Sequence, residues 1–265
     1  MGSLTGKIIL ITGASSGIGK ALALQMAGRD VTLILAGRQL KELAMVAADC
    51  TAKGAVCTSL YLDLASPESI LTFAQTVSQQ FKFLDILINN GGISQRSLAE
   101  DTPVAIDRKI MEVNFFGQIA LTKSIWPMLL NSQHANIVLV SSVTGSFGFS
   151  RRSAYAASKH ALEGFFESWM IENNKPNIFF TTVAPGRIFT NISRSALQAD
   201  GSAYGQMEKG LEKGITAEVC AEKIIKGIHR DKRKIYVAQN EMVLIILRKF
   251  LPFLFFRIAK KLNTA

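Results

Sequence analysis

The chain has 265 residues, of which 48% are hydrophobic and 19% are charged. This composition excludes an intrinsically disordered chain and supplies enough apolar side chains for one large α/β domain with its own core. Thirty basic residues against 20 acidic ones give a formal charge of +10. No nucleic-acid-binding motif accompanies that charge, so a basic surface with a site for an anionic cofactor is favoured over a nucleic-acid partner.

The cysteines and histidines indicate neither disulfides nor a metal site. Cys50, Cys57 and Cys220 form no CxxC pair, and the three histidines lie far apart in sequence. Free thiols in a reducing compartment are therefore expected, with no metal. No signal peptide precedes the first predicted strand, and the chain has no run of about 18 uncharged apolar residues. We expect a cytoplasmic protein.

Short apolar runs alternate along the chain with segments of helical period, which is the pattern of βαβ units around a parallel sheet. Most of these runs are apolar throughout, as in strands that helices cover on both faces. We predict a single Rossmann-type, doubly wound α/β domain over residues 1–240. Its strands, about seven in number, are predicted at Lys7–Thr12, Val31–Ala36, Val56–Leu62, Leu84–Asn89, Asn136–Ser141, Ile178–Ala184 and Lys234–Val237.

Helices are predicted between these strands. Ser66-Pro67 and Thr102-Pro103 each place an N-cap residue before a proline at the first helical position. Gly186–Gly214 has weak periodicity, and a loop of that length in a compact domain is usually a functional lid. The predicted helices are Gly17–Arg29, Gln39–Lys53, Ser66–Phe81, Thr102–Asn114, Phe116–Leu130, Ala154–Asn173 and Thr216–Arg230.

A glycine-rich loop, TGASSGIG from Thr12 to Gly19, follows the first predicted strand and opens the first predicted helix. Gly13 permits a sharp turn, while Gly17 and Gly19 remove side chains where a pyrophosphate and the sheet come close. The helix N-terminus offers free N–H groups and a positive dipole end to phosphates. We expect the loop, with Ser15 in it, to bind a dinucleotide; the alternative is a tight turn with no ligand.

The residues after the second and third strands bear on the choice of dinucleotide. Gly37 offers no carboxylate for a ribose 2′-hydroxyl, whereas Arg38 offers a fork of donors for a 2′-phosphate. NADP(H) is therefore favoured and NAD(H) stays an alternative, as does an ordinary surface role for the arginine. Asp63 is a candidate acceptor for the adenine amino group, unless it is a simple cap or turn residue.

Four side chains farther along form a candidate catalytic set. Tyr155 and Lys159 are four residues apart on a predicted helix and so share a face. Ser142 comes at the end of a predicted strand, and Asn114 at the end of a predicted helix. A free phenol has a pKa of about 10, which a nearby ammonium and an oxidised nicotinamide would lower. A lone YxxxK is usually a solvated helix face, but Ser142 and the upstream glycine loop favour the catalytic interpretation.

These features together resemble the short-chain dehydrogenase/reductase superfamily over roughly residues 5–240. Its motifs stand here in the family's order and spacing. Within the superfamily, residues 89–96, 152–160 and 200–207 are most similar to the member-seven branch of dehydrogenase/reductases and to related bacterial proteins. Gly91 departs from the alanine that the family usually has. The matching motifs are the TGxxxGxG loop, Asn89-Asn90-Gly91-Gly92, Asn114, Ser142, Tyr155-x-x-x-Lys159 and Pro185-Gly186-x-x-x-Thr190.

The resemblance implies a role for each matching residue. Tyr155 would be the general acid and base, and Lys159 would lower its pKa while bonding the nicotinamide ribose. Ser142 would polarise the substrate carbonyl, and Asn114 would anchor a water for proton relay. The carboxamide would be held by Thr190 and the backbone near Ile188, and further cofactor contacts would come from Ser16, Ile18, Asp63 and Asn90.

The resemblance implies a carbonyl reductase or alcohol dehydrogenase, and we expect a homodimer or homotetramer acting on a small molecule. Two alternatives stay open: a 3-oxoacyl thioester reductase of fatty-acid synthesis, and a non-catalytic NADP-binding protein on the same fold. The predicted lid carries Phe189, Ile192, Leu197, Tyr204 and Met207. These residues suit a lipid, steroid or retinoid carbonyl, although a lid also needs apolar residues simply to close.

Residues 241–265 form a hydrophobic, basic C-terminal tail. Met242–Leu262 reads MVLIILRKFLPFLFFRIAKKL, in which Pro252 is predicted to separate two short helices. Neither helix is long enough to span a bilayer. Apolar residues on all sides of these helices require burial. The tail either packs on the domain or on a second subunit, or lies in a membrane interface with its basic groups toward anionic lipid.

Overall fold

The computed structural model describes residues 4–208 and 210–262. Within these residues, seven parallel strands form one sheet, and two short strands pair separately. The strands are β1 (Ile8–Thr12), β2 (Thr32–Gly37), β3 (Val56–Tyr61), β4 (Ile86–Asn89), β5 (Ala135–Val140), β6 (Ile178–Pro185), β7 (Ile188–Phe189), β8 (Ile215–Thr216) and β9 (Lys234–Val237). The large sheet has the order β3-β2-β1-β4-β5-β6-β9, which confirms the predicted doubly wound α/β fold.

Helices cover both faces of the sheet. One buried cluster joins it to the first, second and eighth helices, and another joins it to the third, fifth and seventh. The central strands are mostly apolar because they face both clusters: Ile9 and Ile11 of β1 lie in one, and Leu10 lies in the other. The helices are α1 (Gly17–Met26), α2 (Leu40–Thr51), α3 (Pro67–Gln80), α4 (Val104–Met111), α5 (Gly117–Ser124), α6 (Trp126–Leu130), α7 (Ser153–Glu172), α8 (Ala217–Ile228), α9 (Glu241–Phe250) and α10 (Pro252–Leu262).

Two predicted helices differ from those in the structure. The helix predicted at Phe116–Leu130 is broken at Ile125 because Pro127, in the first turn of α6, has no N–H to continue the helical hydrogen bonds. The helix predicted to end at Asn114 does not end there. It passes through a π turn, Glu112–Phe116, directly into α5. Asn114 therefore lies inside a continuous helical segment.

The predicted lid, residues 186–214, has its two ends held next to each other. β7 and β8, near its ends, pair in parallel. Its middle is held by the loop after β4, since Arg96 N donates to Leu197 O at 2.8 Å and Leu197 N donates to Ser94 O at 2.9 Å. The segment thus closes one side of the carboxyl edge of the sheet, where α/β folds of this kind bind their ligands.

The C-terminal tail forms two helices separated at Leu251, and one side of them packs on the domain. Phe255 is only 2% exposed and contacts Phe147, with the ring centroids 5.5 Å apart. Glu241 Oε1 accepts hydrogen bonds from Arg187 N and Nε. The opposite side keeps large apolar residues exposed: Val243, Ile246, Phe250, Leu251, Phe253, Leu254 and Phe256.

Among residues 4–208 and 210–262, none of the helices combines the length and apolar character that crossing a membrane requires.

Candidate active site

The glycine-rich loop lies between the end of β1 and the start of α1. Gly13 has φ +64°, in the left-handed region that costs glycine little. A Cβ at Gly13 would lie 2.9 Å from Gly91 Cα, and a Cβ at Gly19 would overlap the Gly13 carbonyl oxygen. The first-turn N–H groups of α1 have no partner within the helix, and the N-cap residue Ser16 makes no side-chain capping bond. The loop therefore presents open N–H donors that fit a pyrophosphate.

The hydroxyl of Thr12 and the amide of Asn90 connect this loop to the end of β4. Thr12 Oγ1 accepts from Asn90 N at 3.0 Å and from Gly91 N at 2.8 Å. Asn90 Nδ2 donates to Thr12 O at 2.9 Å and to Gly13 O at 3.2 Å. Alanine at position 91 would place its Cβ 3.0 Å from Leu64 Cδ1. Glycine at this position thus fits the tight packing between the two strand ends.

Arg38 and Asp63 follow the adjacent strands β2 and β3. Arg38 is exposed, and among the described residues it forms no ion pair. Asp63 Oδ1 accepts from Ala65 N at 3.0 Å, so one oxygen already stabilises a turn. Ser15 Oγ donates to Gln39 Oε1 at 3.0 Å across the same end of the sheet. The structure thus places Arg38, Asp63 and Ser15 around the side of the loop that faces β2 and β3.

Ser142, Tyr155 and Lys159 meet at the carboxyl end of β5. Ser142 caps a short 3₁₀ turn, with Oγ accepting from Thr144 N at 3.2 Å and donating to Pro185 O at 3.5 Å. Lys159 Nζ donates to Val140 O at 2.9 Å and lies 5.8 Å from the centre of the Tyr155 ring. All three side chains are buried. Helix α7 carries Tyr155 and Lys159 on one face, as their spacing predicts.

Burial dominates the titration of this group in the absence of cofactor. It raises the pKa of Tyr155 above 10.0, while the charge of Arg152 and the hydrogen bond to Ser142 act in the opposite direction. Burial also lowers the pKa of Lys159 from 10.5 to about 8, against the opposing effect of Glu163. Lys159 therefore loses its proton before the phenol ionises. The charge of Arg152 opposes the effect of burial on Tyr155, and the lowering of the Tyr155 pKa by Lys159 stays a prediction.

Asn114 is fully buried within the π turn, and its amide holds the loop after β4. Oδ1 accepts from Ile93 N at 2.8 Å, and Nδ2 donates to Ile93 O at 2.9 Å and to Ser158 Oγ at 3.1 Å. Both amide protons are thereby used. π turns inside helices are frequent at functional sites because they shift the register of the backbone hydrogen bonds. The side chain of Asn114 thus positions the loop, and its amide protons are not available to a water.

A cavity of about 620 Å³ brings most of the predicted residues together. Ile188 is buried in β7, and Thr190 Cγ2 would lie 3.2 Å from a Cβ at Gly17. One cavity thus brings Ile18 of the glycine loop together with the Ser–Tyr–Lys group. The predicted residues in its wall are Ile18, Asn90, Ser142, Tyr155, Lys159, Ile188 and Thr190. Asn114, Arg38, Asp63 and the remaining loop residues lie outside that wall.

Gln95 is a buried residue of this site that the sequence analysis does not identify. Its Oε1 accepts from Ala154 N at 2.8 Å and from Tyr155 N at 3.3 Å, which caps the first turn of α7. Its Nε2 lies 3.2 Å from the hydroxyls of three residues: Ser97, Thr102 and Ser153. Gln95 thus fixes the start of the helix that carries Tyr155. A glutamine after a strand is not a recognisable signal for such a role.

Comparison with known proteins places the chain in a family. The short chain dehydrogenase family matches residues 7–201. "Dehydrogenase/reductase SDR family member 7B" of Mus musculus is 36% identical over 260 residues, covering 96% of this chain and 80% of the mouse protein. This likeness confirms the expected similarity to the member-seven branch.

Solved structures share the fold. A short chain dehydrogenase/reductase from Burkholderia phymatum in complex with NAD superposes with a TM-score of 0.82 at 21% identity, over 94% of this chain and 95% of that one. A short chain dehydrogenase from Shigella flexneri complexed with NADP gives 0.75 at 26% identity, over 88% and 96%. The chain therefore belongs to the short-chain dehydrogenase/reductase family and is an oxidoreductase that acts on CH–OH or carbonyl groups with a nicotinamide cofactor.

Proposed function

We propose that this enzyme is an NADP(H)-dependent carbonyl reductase for apolar ketones, able to run the reverse oxidation of the alcohol. The observation that carries the proposal is the cavity whose wall brings Ser142, Tyr155 and Lys159 together with Ile18 of the glycine loop and Thr190. Much of the remaining wall is apolar, which suits a lipid-, steroid- or retinoid-like substrate. The apolar residues of that wall include Val143, Phe147, Phe149, Ile192, Met207, Leu211 and Leu244.

In this proposal Ser142, Tyr155 and Lys159, which meet at the end of β5, control the proton transfer. A bound nicotinamide supplies or accepts a hydride. Tyr155 donates its phenolic proton to the carbonyl oxygen, and Ser142, in the wall of the same cavity, polarises that oxygen. Lys159 bonds the nicotinamide ribose, and a cationic nicotinamide adds to the charge that favours the phenolate. Asn114 is a positioning residue, which keeps the loop over Lys159 in place.

The cofactor roles follow the same geometry. The loop residues Gly13 to Gly19 would hold the pyrophosphate, and Thr190 with the backbone at Ile188 would hold the carboxamide. Asp63 would accept from the adenine amino group with its second oxygen, and Asn90 would contact the adenosine side. Arg38, exposed and without an ion pair among the described residues, would bind the 2′-phosphate of NADP(H).

Two measurements test this function. Cofactor oxidation across ketosteroids, retinal, quinones, acyl thioesters and small aldehydes should show turnover of apolar ketones with NADPH. A charge-assisted bond to phosphate contributes about 1.5–3 kcal/mol, so Arg38→Ala should raise the KM for NADPH at least tenfold and leave NADH nearly unchanged. The matched control is Arg29→Ala, an exposed arginine before the other end of β2. Equal use of both cofactors by the wild type would overturn the preference.

We further propose that the C-terminal tail docks on an anionic membrane surface. Val243, Ile246 and Phe250 recur at helical spacing on the exposed side of α9, and Phe253 in α10 is 82% exposed. The tail therefore exposes apolar residues on both of its helices, and Leu244 of α9 lies in the wall of the cavity. An apolar helix face of this kind, bordered by basic groups, lies in the interface of a bilayer.

Charge favours lipid over a second copy of the chain. Residues 241–265 contain five basic side chains and one acidic one, Glu241, which is buried against Arg187. Pairing two such tails would bring like charges together, whereas anionic lipid headgroups would neutralise them. The basic side chains of the tail are Arg248, Lys249, Arg257, Lys260 and Lys261.

Flotation with vesicles tests the docking surface. The full-length protein should float with phosphatidylserine-containing vesicles at low salt, and less with neutral vesicles or at high salt. Substituting both Phe250 and Phe253 with serine should abolish flotation, because both are exposed and their loss leaves buried Phe255 in place. Ile171→Ser, equally exposed at 82% on α7, is the matched control. Flotation of the double variant at the wild-type level would contradict the proposal.

A further inference from the structure

Two arginines in the cavity wall converge on one carboxylate. Arg96 Nη1 lies 2.9 Å from Glu208 Oε1, and Arg152 Nη2 is bonded to the other oxygen, Glu208 Oε2. The arginines come from the loop after β4 and from the N-cap of α7, while Glu208 belongs to the segment 186–214. Each oxygen of the Glu208 carboxylate thus contacts a different guanidinium.

The charges of this group do not balance. The arginine side chains are only 21% and 16% exposed, yet two positive charges share one carboxylate. Arg152 Nη1 has a neutral partner, Ser94 Oγ at 3.1 Å. Arg96 Nε is buried without a hydrogen-bond partner. A half-buried group with a net positive charge and an unused donor is suited to bind an oxyanion.

The arginines face the same space as the proposed catalytic group. Arg96, Arg152, Glu208 and Tyr155 all line the one cavity. The Arg152 guanidinium carbon lies 5.9 Å from the centre of the Tyr155 ring. An anion held by the arginines would therefore belong to the molecule whose carbonyl reaches Tyr155, rather than to a separate surface site.

We propose that Arg96 and Arg152 bind a carboxylate or phosphate on the substrate, and that Glu208 occupies their donors until the substrate displaces it. The proposal rests on the reductase function above and narrows its substrate class to amphiphilic carbonyl compounds, with an apolar body and one anionic end. An ion pair that only fixed the segment 186–214 to the rest of the domain would need one arginine, not two.

Matched pairs of carbonyl compounds test the site through turnover. A medium-chain 2-alkanone and the oxo acid of the same length, with its ketone at the same end, differ only in the carboxylate. Arg96→Gln should raise the KM for the oxo acid at least tenfold, as expected for a lost charge-assisted bond, and change that for the alkanone less than twofold. Arg96→Lys should restore part of the loss, and Glu208→Gln should lower the KM for the oxo acid. Equal effects of these substitutions on both compounds would overturn the proposal.

Binding of non-reacting probes tests the site without chemistry. With NADPH present, decanoate and decyl phosphate should bind the wild type more tightly than decanamide does, and Glu208→Gln should tighten both by calorimetry. Arg96→Gln should remove the difference, with its melting temperature reporting on the fold. The tighter of the two acids identifies the natural anion as carboxylate or phosphate. Binding that depends on Arg96, without turnover of any ketone, would support the anion site and contradict the reductase function. Equal binding of all three probes would contradict the anion site and leave the reductase function unaffected.

Discussion

At the scale of single residues, the environment of Tyr155 sets the requirements of the proposed chemistry. The phenol is buried, and burial raises its pKa in the free enzyme. A neutral phenol is the form that donates a proton during reduction. The charge of Arg152 and the hydrogen bond from Ser142 oppose the effect of burial, so these two groups and the bound cofactor determine how readily Tyr155 gives up its proton.

Tyr155→Phe should abolish turnover while leaving the cofactor bound. The substitution keeps the buried ring and removes the proton donor, and loss of a positioned general acid typically costs 10²–10⁴-fold, so kcat should fall by about that factor. Stopped-flow measurements of NADPH oxidation and fluorescence titration of NADPH give the two quantities. Tyr236→Phe, on partly exposed β9, should stay within about twofold of wild type. Retention of more than a tenth of wild-type kcat by Tyr155→Phe would mean that another group donates the proton.

Lys159 should make the stability of the free enzyme depend on pH. Its pKa falls from 10.5 in the unfolded chain to about 8 in the folded protein. The unfolded chain therefore holds more protons between pH 8 and 10.5, so this group's contribution to stability rises with pH in that window. The difference corresponds to a destabilisation on the order of 3 kcal/mol at pH 7. Below pH 8 the penalty stays constant.

Urea unfolding of Lys159→Met across pH 7 to 10 measures this effect. The variant should be more stable than the wild type at pH 7, and the gap should narrow as pH rises above 8. Comparing the two proteins cancels the titration of the cysteines and of Tyr155, which both keep. Lys123→Met, at an exposed position of α5, is the matched control. A constant gap for Lys159→Met would show that Lys159 titrates near its ordinary pKa.

At the scale of secondary structure, helix α7 connects the fold to the site. Its first turn is capped by Gln95, whose side chain accepts from Ala154 N and Tyr155 N. The loop that carries Gln95 is held in turn by Asn114 through Ile93. The position of Tyr155 therefore depends on a loop about 60 residues earlier in the chain, because the buried side-chain amide of Gln95 connects that loop to the first turn of α7.

Gln95→Leu should weaken both the fold and catalysis. It leaves two backbone N–H groups and several hydroxyls without their partner, at about 1–3 kcal/mol for each buried group left unpaired. Urea unfolding should show that loss, and kcat should fall by more than NADPH affinity because the start of α7 is no longer fixed. Gln79→Leu, exposed on α3, is the control and should leave both unchanged. Wild-type stability in Gln95→Leu would refute the capping role.

The same scale shows what the sequence can predict. The strands and the spacing of the Ser142, Tyr155 and Lys159 group follow from local rules, since period and i, i+4 geometry are set within a few residues. The end of α5 at Ile125 also has a local signal, Pro127, but the apolar period of the surrounding residues favours one uninterrupted helix. The capping by Gln95 and the pairing of Arg96 with Glu208 join residues 59 and 112 positions apart. No local pattern encodes contacts over such separations, so only the folded chain reveals them.

At the scale of the whole molecule, three features meet at the carboxyl edge of the sheet: the glycine loop, the segment 186–214 and the C-terminal tail. The sequence left open whether the tail packs on protein or on membrane. The structure gives it a buried side at Phe255 and an exposed apolar side, because an amphipathic pair of helices can cover the domain with only one face. The proposed membrane contact would thus lie next to the cavity in which an apolar carbonyl compound is reduced.

The most direct test of the reductase function follows the hydride itself. The enzyme is given NADPH deuterated at the transferable position of the nicotinamide, together with an apolar ketone from the panel, and the products are examined by mass spectrometry. The function predicts one deuterium at the carbinol carbon of the alcohol for each cofactor oxidised, and none with Tyr155→Phe. Oxidation of the cofactor without deuterium in an alcohol, or the same deuterated product from Tyr155→Phe at the wild-type rate, would contradict it.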